Sequence, residues 1–106
     1  NFNEYQNLVK RTMDPQADEL SNYSMGLAGE TGELINLLKK HRHHKHKFDF
    51  AKTQEEIGDC LWYLGALCNV LGLELDDAAY YNIIKLQKRY PDGYSHQASK
   101  ERKDIG

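Results

Sequence analysis

A chain of 106 residues with a formal charge of −2 and a pI near 6.2 has the size of one small domain, 1–106, and too little positive charge for a general nucleic-acid binder. No apolar run is long enough to span a membrane and no signal-peptide pattern opens the chain, so a cytoplasmic setting is expected. Cys60 and Cys68 fall in one predicted helix, about 12 Å apart along its axis and too far for a disulfide. They sit among Leu, Ala and aromatic residues and read as structural thiols of a reducing compartment.

Phe2, Tyr5, Leu8, Val9 and Met13 recur at helical spacing. They predict a first, one-sided helix from about Asn3 to Thr12 that stops before Asp14-Pro15. A second helix starts near Leu20 or Ser21 and carries Tyr23, Leu27, Ala28, Leu34, Ile35, Leu37 and Leu38. It fades into Lys39-Lys40-His41-Arg42-His43-His44-Lys45-His46-Lys47. Cations suit the negative end of a helix, so this run reads first as a solvated connection. A zinc site and a role in drawing anionic substrate toward the chain are the two sharper alternatives.

The third helix begins between Asp49 and Thr53. Thr53-Gln54-Glu55-Glu56 matches a capping box, which would give Glu56 a purely structural task. A start near Asp49 frees Glu56 and lets Phe50 and Ala51 join the packing, and is preferred. From Ile57 to Leu71 the run is apolar on nearly every side, so burial all round is expected. Gly72 ends it. Asp76 or Asp77 caps a fourth helix that reaches Arg89 and is stopped by Pro91. Its residues fall into two stripes: Ala79, Ile83, Leu86 and Tyr90, then Asn82, Lys85 and Arg89. The second stripe is either an ordinary exposed face or a set of phosphate contacts. From about Ser95 the tail is polar, and is expected to be mobile or tied to a neighbouring subunit.

The chemistry lies in two acid pairs. Glu30 and Glu33 are three residues apart on the second helix, and Glu56 and Asp59 on the third. Residues at that spacing share one helical face. If the two helices pack side by side, four carboxylates converge in apolar surroundings and require compensation. A hard divalent cation with oxygen ligands is the usual remedy, Mg²⁺ above all with Mn²⁺ as a substitute. Gly29, Gly32 and Gly58 each cost a helix about 1 kcal/mol, which points to close helix approach or to room for a ligand. Tyr63 follows Asp59 by one turn and can face the same cavity, whereas Trp62 points elsewhere, toward core or interface.

Three segments together carry a family resemblance: Leu27-Ala28-Gly29-Glu30-Thr31-Gly32-Glu33, Glu55-Glu56-Ile57-Gly58-Asp59-Cys60-Leu61-Trp62-Tyr63, and Asn82-Ile83-Ile84-Lys85-Leu86-Gln87-Lys88-Arg89-Tyr90-Pro91. In that order they resemble the MazG-like nucleotide pyrophosphohydrolases of the all-α NTP pyrophosphatase superfamily. The resemblance implies a four-helix-bundle-like fold in which the first segment leans on the bundle and edges the nucleotide pocket. It implies that Glu30, Glu33, Glu56 and Asp59 hold the metal and serve catalysis. Tyr63, Asn82, Lys85 and Arg89 would bind a nucleoside triphosphate, which is cut between its α and β phosphates in nucleotide-pool house-cleaning. Phosphoribosyl-ATP hydrolysis is the alternative substrate, and a non-catalytic nucleotide- or metal-binding module the alternative class. The apolar third helix calls for a homo-oligomer, and the resemblance adds that a dimer may pair into a tetramer, with sites near the interface.

Overall fold

The computed structural model describes residues 1–15 and 18–105, and Gly106, the last residue of the tail, lies outside them. Among the described residues the elements are all helical: α1 (Phe2–Val9), a 3-10 turn (Lys10–Thr12), α2 (Glu19–His43), α3 (Phe50–Leu71), α4 (Leu75–Arg89) and α5 (His96–Glu101). The all-α expectation and its four principal helices hold. No helix among them is long and apolar enough to cross a membrane.

Short polar side chains set the helix starts. Asn1, Asp18, Asp49 and Ser95 accept hydrogen bonds from the backbone N–H groups of Glu4, Ser21, Lys52 and Ala98. Asp49 therefore opens α3, as preferred, and Thr53 does not cap it; its hydroxyl donates to the Asp49 carbonyl instead. The start of α4 departs from expectation. Neither Asp76 nor Asp77 is its cap: both lie in the first turn, behind a Glu74 whose side chain makes no capping bond. The cap comes from far away. Gln6 of α1 accepts from the Leu75 N–H at 2.7 Å and donates to the Leu73 carbonyl and the Asn69 side chain. One buried amide thus ties α1, the end of α3 and the start of α4 together. At the other end of α3, Gly72 adopts φ 71°, the left-handed closure that glycine makes at little cost.

Helices α2 and α3 run antiparallel and form the main packing unit. Tyr23 meets Trp62 edge-on, Gly26 lies under the Tyr63 ring, and Thr31 reaches Cys60. The core is Val9, Tyr23 and Ala66, with Tyr5, Met13, Trp62, Tyr63, Leu67 and Val70 packed around it. Trp62 is also anchored by a 2.8 Å hydrogen bond from its indole N–H to Thr12, which confirms its packing role. Burial of α3 all round is not what one chain achieves: Ile57, Leu64 and Leu71 are exposed, as is Phe50, whose ring meets Phe48 edge-on. The radius of gyration is 17.1 Å. A compact chain of this length would have about 13 Å. The helices do not close into a compact bundle.

The glycines also divide differently from expectation. Gly29, Gly32 and Gly58 border open space, so close helix approach does not explain them. The close approach is at Gly26, where an added Cβ would overlap the Tyr63 ring. Gly26→Ala is therefore expected to lower stability by about 1–3 kcal/mol through overpacking. Gly29→Ala, in the same helix, is expected to leave stability unchanged or raise it by up to about 1 kcal/mol. Urea denaturation of the two variants checks the contrast.

Candidate metal centre

Positions 23, 27, 30, 34 and 37 of α2 follow the helical repeat and are its more buried residues, so this face meets α3. Glu30 is carried into the seam because it occupies one of those positions. Glu33 stands one turn on, at the exposed edge, and Glu56 enters from α3 as a buried residue. Ligand oxygens of these three acids lie within 4.8 Å of one another. Glu30 Oε2 and Glu56 Oε2 are both buried and make no hydrogen bond.

Asp59 stands outside that close group but near it. Its charge acts on Glu30 and, on the other side, on Tyr5 of α1. Burial first, and Asp59 second, raise the Tyr5 hydroxyl. Helix α1 therefore borders the acids through Tyr5. Glu30 is the most perturbed of the group. Burial, then the charge of Glu33, then contact with Glu56 push its carboxyl up to about 7.

The donor set is made of carboxylate oxygens, two of them dry and unpaired. That chemistry fits a hard, oxygen-seeking divalent cation better than a thiolate- or imidazole-seeking one. The histidine-rich run offers no competitor: among the described residues no group containing those histidines has metal-ligand spacing. His41 instead bonds through Nδ1 to the His46 carbonyl and stacks edge-on with Phe48, pinning the α2–α3 connection.

The MazG nucleotide pyrophosphohydrolase domain model matches residues 18–94. The chain belongs to this family. The match runs from the cap of α2 through α4 and so includes all four acids. Gene 37 protein of Mycobacterium phage L5 is 40% identical over 81 residues, covering 70% of this chain and 68% of that protein. No solved structure matches significantly.

The remaining family-implied residues are placed less simply. Tyr63 lies in the α2–α3 seam, its ring over Gly26 and 5.0 Å from Trp62, centroid to centroid. Asn82 and Lys85 are exposed on α4 and make no hydrogen bond or ion pair among the described residues. Helix α4 packs on α1, α3 and α5 rather than along α2, the helix that carries Glu30 and Glu33. Arg89 is engaged by the tail: both carboxylate oxygens of Asp104 accept from its guanidinium at 3.0 Å, and Arg102 holds the same carboxylate. Asp104 is fully buried at its side chain, and hydrogen bonds from Arg89 and then Arg102 hold its carboxyl far below the usual range. The tail expected to be mobile or bound to a neighbour instead folds back on its own α4.

Sequence reading missed Lys52, whose ammonium lies 3.2 Å from Glu56 and 3.5 Å from Glu55. Its spacing of four from Glu56 was the available signal. The Arg89–Asp104 clamp had none, because it joins side chains across a turn and a separate helix.

Burial and like charges lift Glu30 from 4.5 to about 7, so between those values the folded chain holds more protons than the unfolded one. The Glu30 contribution is thus most favourable below the lower value and is lost as pH rises through the upper one. With chelator present, the urea midpoint is expected to fall between about pH 5 and 8. Glu30→Gln should flatten that fall.

Proposed function

We propose that this chain is a divalent-metal-dependent nucleoside triphosphate pyrophosphohydrolase. It converts a (d)NTP to (d)NMP and pyrophosphate, with nucleotide-pool house-cleaning as its role and Mg²⁺ as its metal, Mn²⁺ substituting. The observation that carries this reading is the meeting of Glu30, Glu33 and Glu56 within 4.8 Å, with two buried oxygens unpartnered, inside a MazG domain.

Glu30, Glu33 and Glu56 would hold the cation, and Asp59, just outside the close group, completes the set or orients the attacking water. When bound, the metal supplies charge neutralisation along the phosphate chain and acidifies water. The protein's own part is placement. The α2–α3 seam fixes three carboxylates from two rigid helices, and any one of them that ionises can accept a proton from water. The open space beside Gly29, Gly32 and Gly58 provides room for the triphosphate. Tyr63 can present its ring edge to sugar or base from the neighbouring turn.

Asn82, Lys85 and Arg89 are proposed to read the phosphates. Since α4 does not pack along α2, an assembly is the simplest way to bring those side chains to the acids. Assembly has independent support in the single chain. Leu20, Met25 and Ile35 on α2, Ile57, Leu64 and Leu71 on α3, and Tyr80, Tyr81 and Ile83 on α4 are all exposed. Soluble monomers rarely display so much apolar surface, and a symmetric dimer buries one patch against its own copy. We infer a homodimer at least, and propose that dimers pair into a tetramer.

A panel of canonical and modified (d)NTPs, with product analysis and Mg²⁺ present, is expected to yield pyrophosphate and a monophosphate. Glu33→Ala and Asp59→Ala are expected to abolish turnover without unfolding the chain, because each removes one of several crowded like charges. Near-normal activity in both would end the metal reading. Nucleotide binding without turnover would make the chain a binding module, and selective use of phosphoribosyl-ATP would move it to that substrate class.

Sedimentation equilibrium at micromolar concentration is expected to give a multiple of 12.3 kDa. A stable, active monomer would contradict the assembly.

A further inference from the structure

Lys52 sits where helix energetics give it no reason to be. It lies in the first turn of α3, next to the positive pole of the helix dipole, where acids rather than cations are favoured. It also precedes Glu56 by four, the weaker of the two orders for a helical ion pair. Yet its ammonium is drawn to Glu56 Oε1 at 3.2 Å and to Glu55 Oε1 at 3.5 Å, while Glu56 itself is only 5% exposed. The other Glu56 oxygen is buried and unpartnered. The two oxygens of this acid are therefore divided, one on a cation of the chain and one buried without a partner.

We propose that Lys52 is an exchangeable counter-ion of the metal centre. It holds Glu56 in the metal-free protein, yields Glu56 to a divalent cation, and once released turns its ammonium to the phosphate oxygens of the bound triphosphate. Half of the lysine side chain is exposed (47%), so it is free to swing outward without crossing the helix seam. It stays protonated throughout, and no bond is made or broken by the exchange. A phosphate chain on a metal held by Glu30, Glu33 and Glu56 would lie beside Glu56, the residue that the Lys52 ammonium already reaches. Lys52 is thus a residue for phosphate recognition contributed by the same helix as the metal ligands. The inference rests on the acid cluster being a metal site.

Isothermal titration calorimetry on the full chain separates the possibilities. Mg²⁺ alone is titrated into wild type, Lys52→Met and Lys52→Arg, and then a non-hydrolysable α,β-methylene deoxynucleoside triphosphate at saturating Mg²⁺. Lys52→Met is expected to bind Mg²⁺ several-fold more tightly than wild type and the triphosphate analogue several-fold more weakly. Lys52→Arg, which keeps the charge, is expected to stay close to wild type in both. Unchanged or weaker Mg²⁺ binding in Lys52→Met, with normal binding by wild type, overturns the exchange while leaving the metal centre intact. Unchanged analogue affinity overturns the phosphate contact. Failure of wild type to bind Mg²⁺ overturns the metal centre and the exchange with it. Matching circular dichroism melts of the three proteins exclude misfolding as the cause of any difference.

Discussion

Glu30 and Glu56 face each other across the α2–α3 seam, each with one carboxylate oxygen that is buried and makes no hydrogen bond. Charges in that position cannot all be retained without compensation. Two compensations are visible in the molecule. Glu30 binds its proton more tightly, with a carboxyl raised to about 7. Glu56 takes the Lys52 ammonium. What is left is a set of acid oxygens within 4.8 Å of one another, a spacing that a divalent cation could bridge. A sequence selected for stability alone would place apolar residues in this seam. Three acids gathered there cost desolvation and mutual repulsion.

The rest of the fold holds that seam in register. Tyr23 and Trp62 meet one side of it, and Gly26 lets Tyr63 lie flat between the helices. Val9 of α1 presses on Gly65, so α1 braces α3 from behind. Gln6 then carries the same brace to α4 by capping it. The Arg89–Asp104–Arg102 cluster closes the far end of α4 against the tail. For the proposed site rigid placement would matter, because catalytic groups tolerate little displacement from productive geometry. Apolar residues on α2, α3 and α4 remain exposed, and on them rests the proposal of a partner of the same kind.

Much of the site was legible in the sequence because it obeys helix periodicity. Carboxylates three apart must share a face, whatever the remainder of the chain does, and Glu30 and Glu33 could be paired on that ground alone. The start of α3 was legible for a similar reason: Asp49 is a local cap, acting three residues away. Features that depend on distant contacts were not. The cap of α4 comes from Gln6, so no inspection of Glu74-Leu75-Asp76-Asp77 could reveal it. Arg89 was read as part of an exposed or phosphate-binding stripe, because its bond to Asp104 exists only after the tail has turned back. The glycines beside the acids were read as points of close approach or as room for a ligand; Gly29, Gly32 and Gly58 border open space, and the close approach lies at Gly26. A glycine shows that a side chain is missing; only packing shows what uses the room.

The central proposal is that the acids of α2 and α3 gather around a divalent cation. The most direct measurement is an anomalous difference map from crystals grown with Mn²⁺, with data collected at the manganese absorption edge. The account expects one strong peak bounded by the carboxylates of Glu30, Glu33 and Glu56, with metal–oxygen distances of about 2.0–2.3 Å. Manganese bound elsewhere with nothing at these acids, or Lys52 still paired to Glu56 beside an unoccupied cluster at saturating metal, would contradict it.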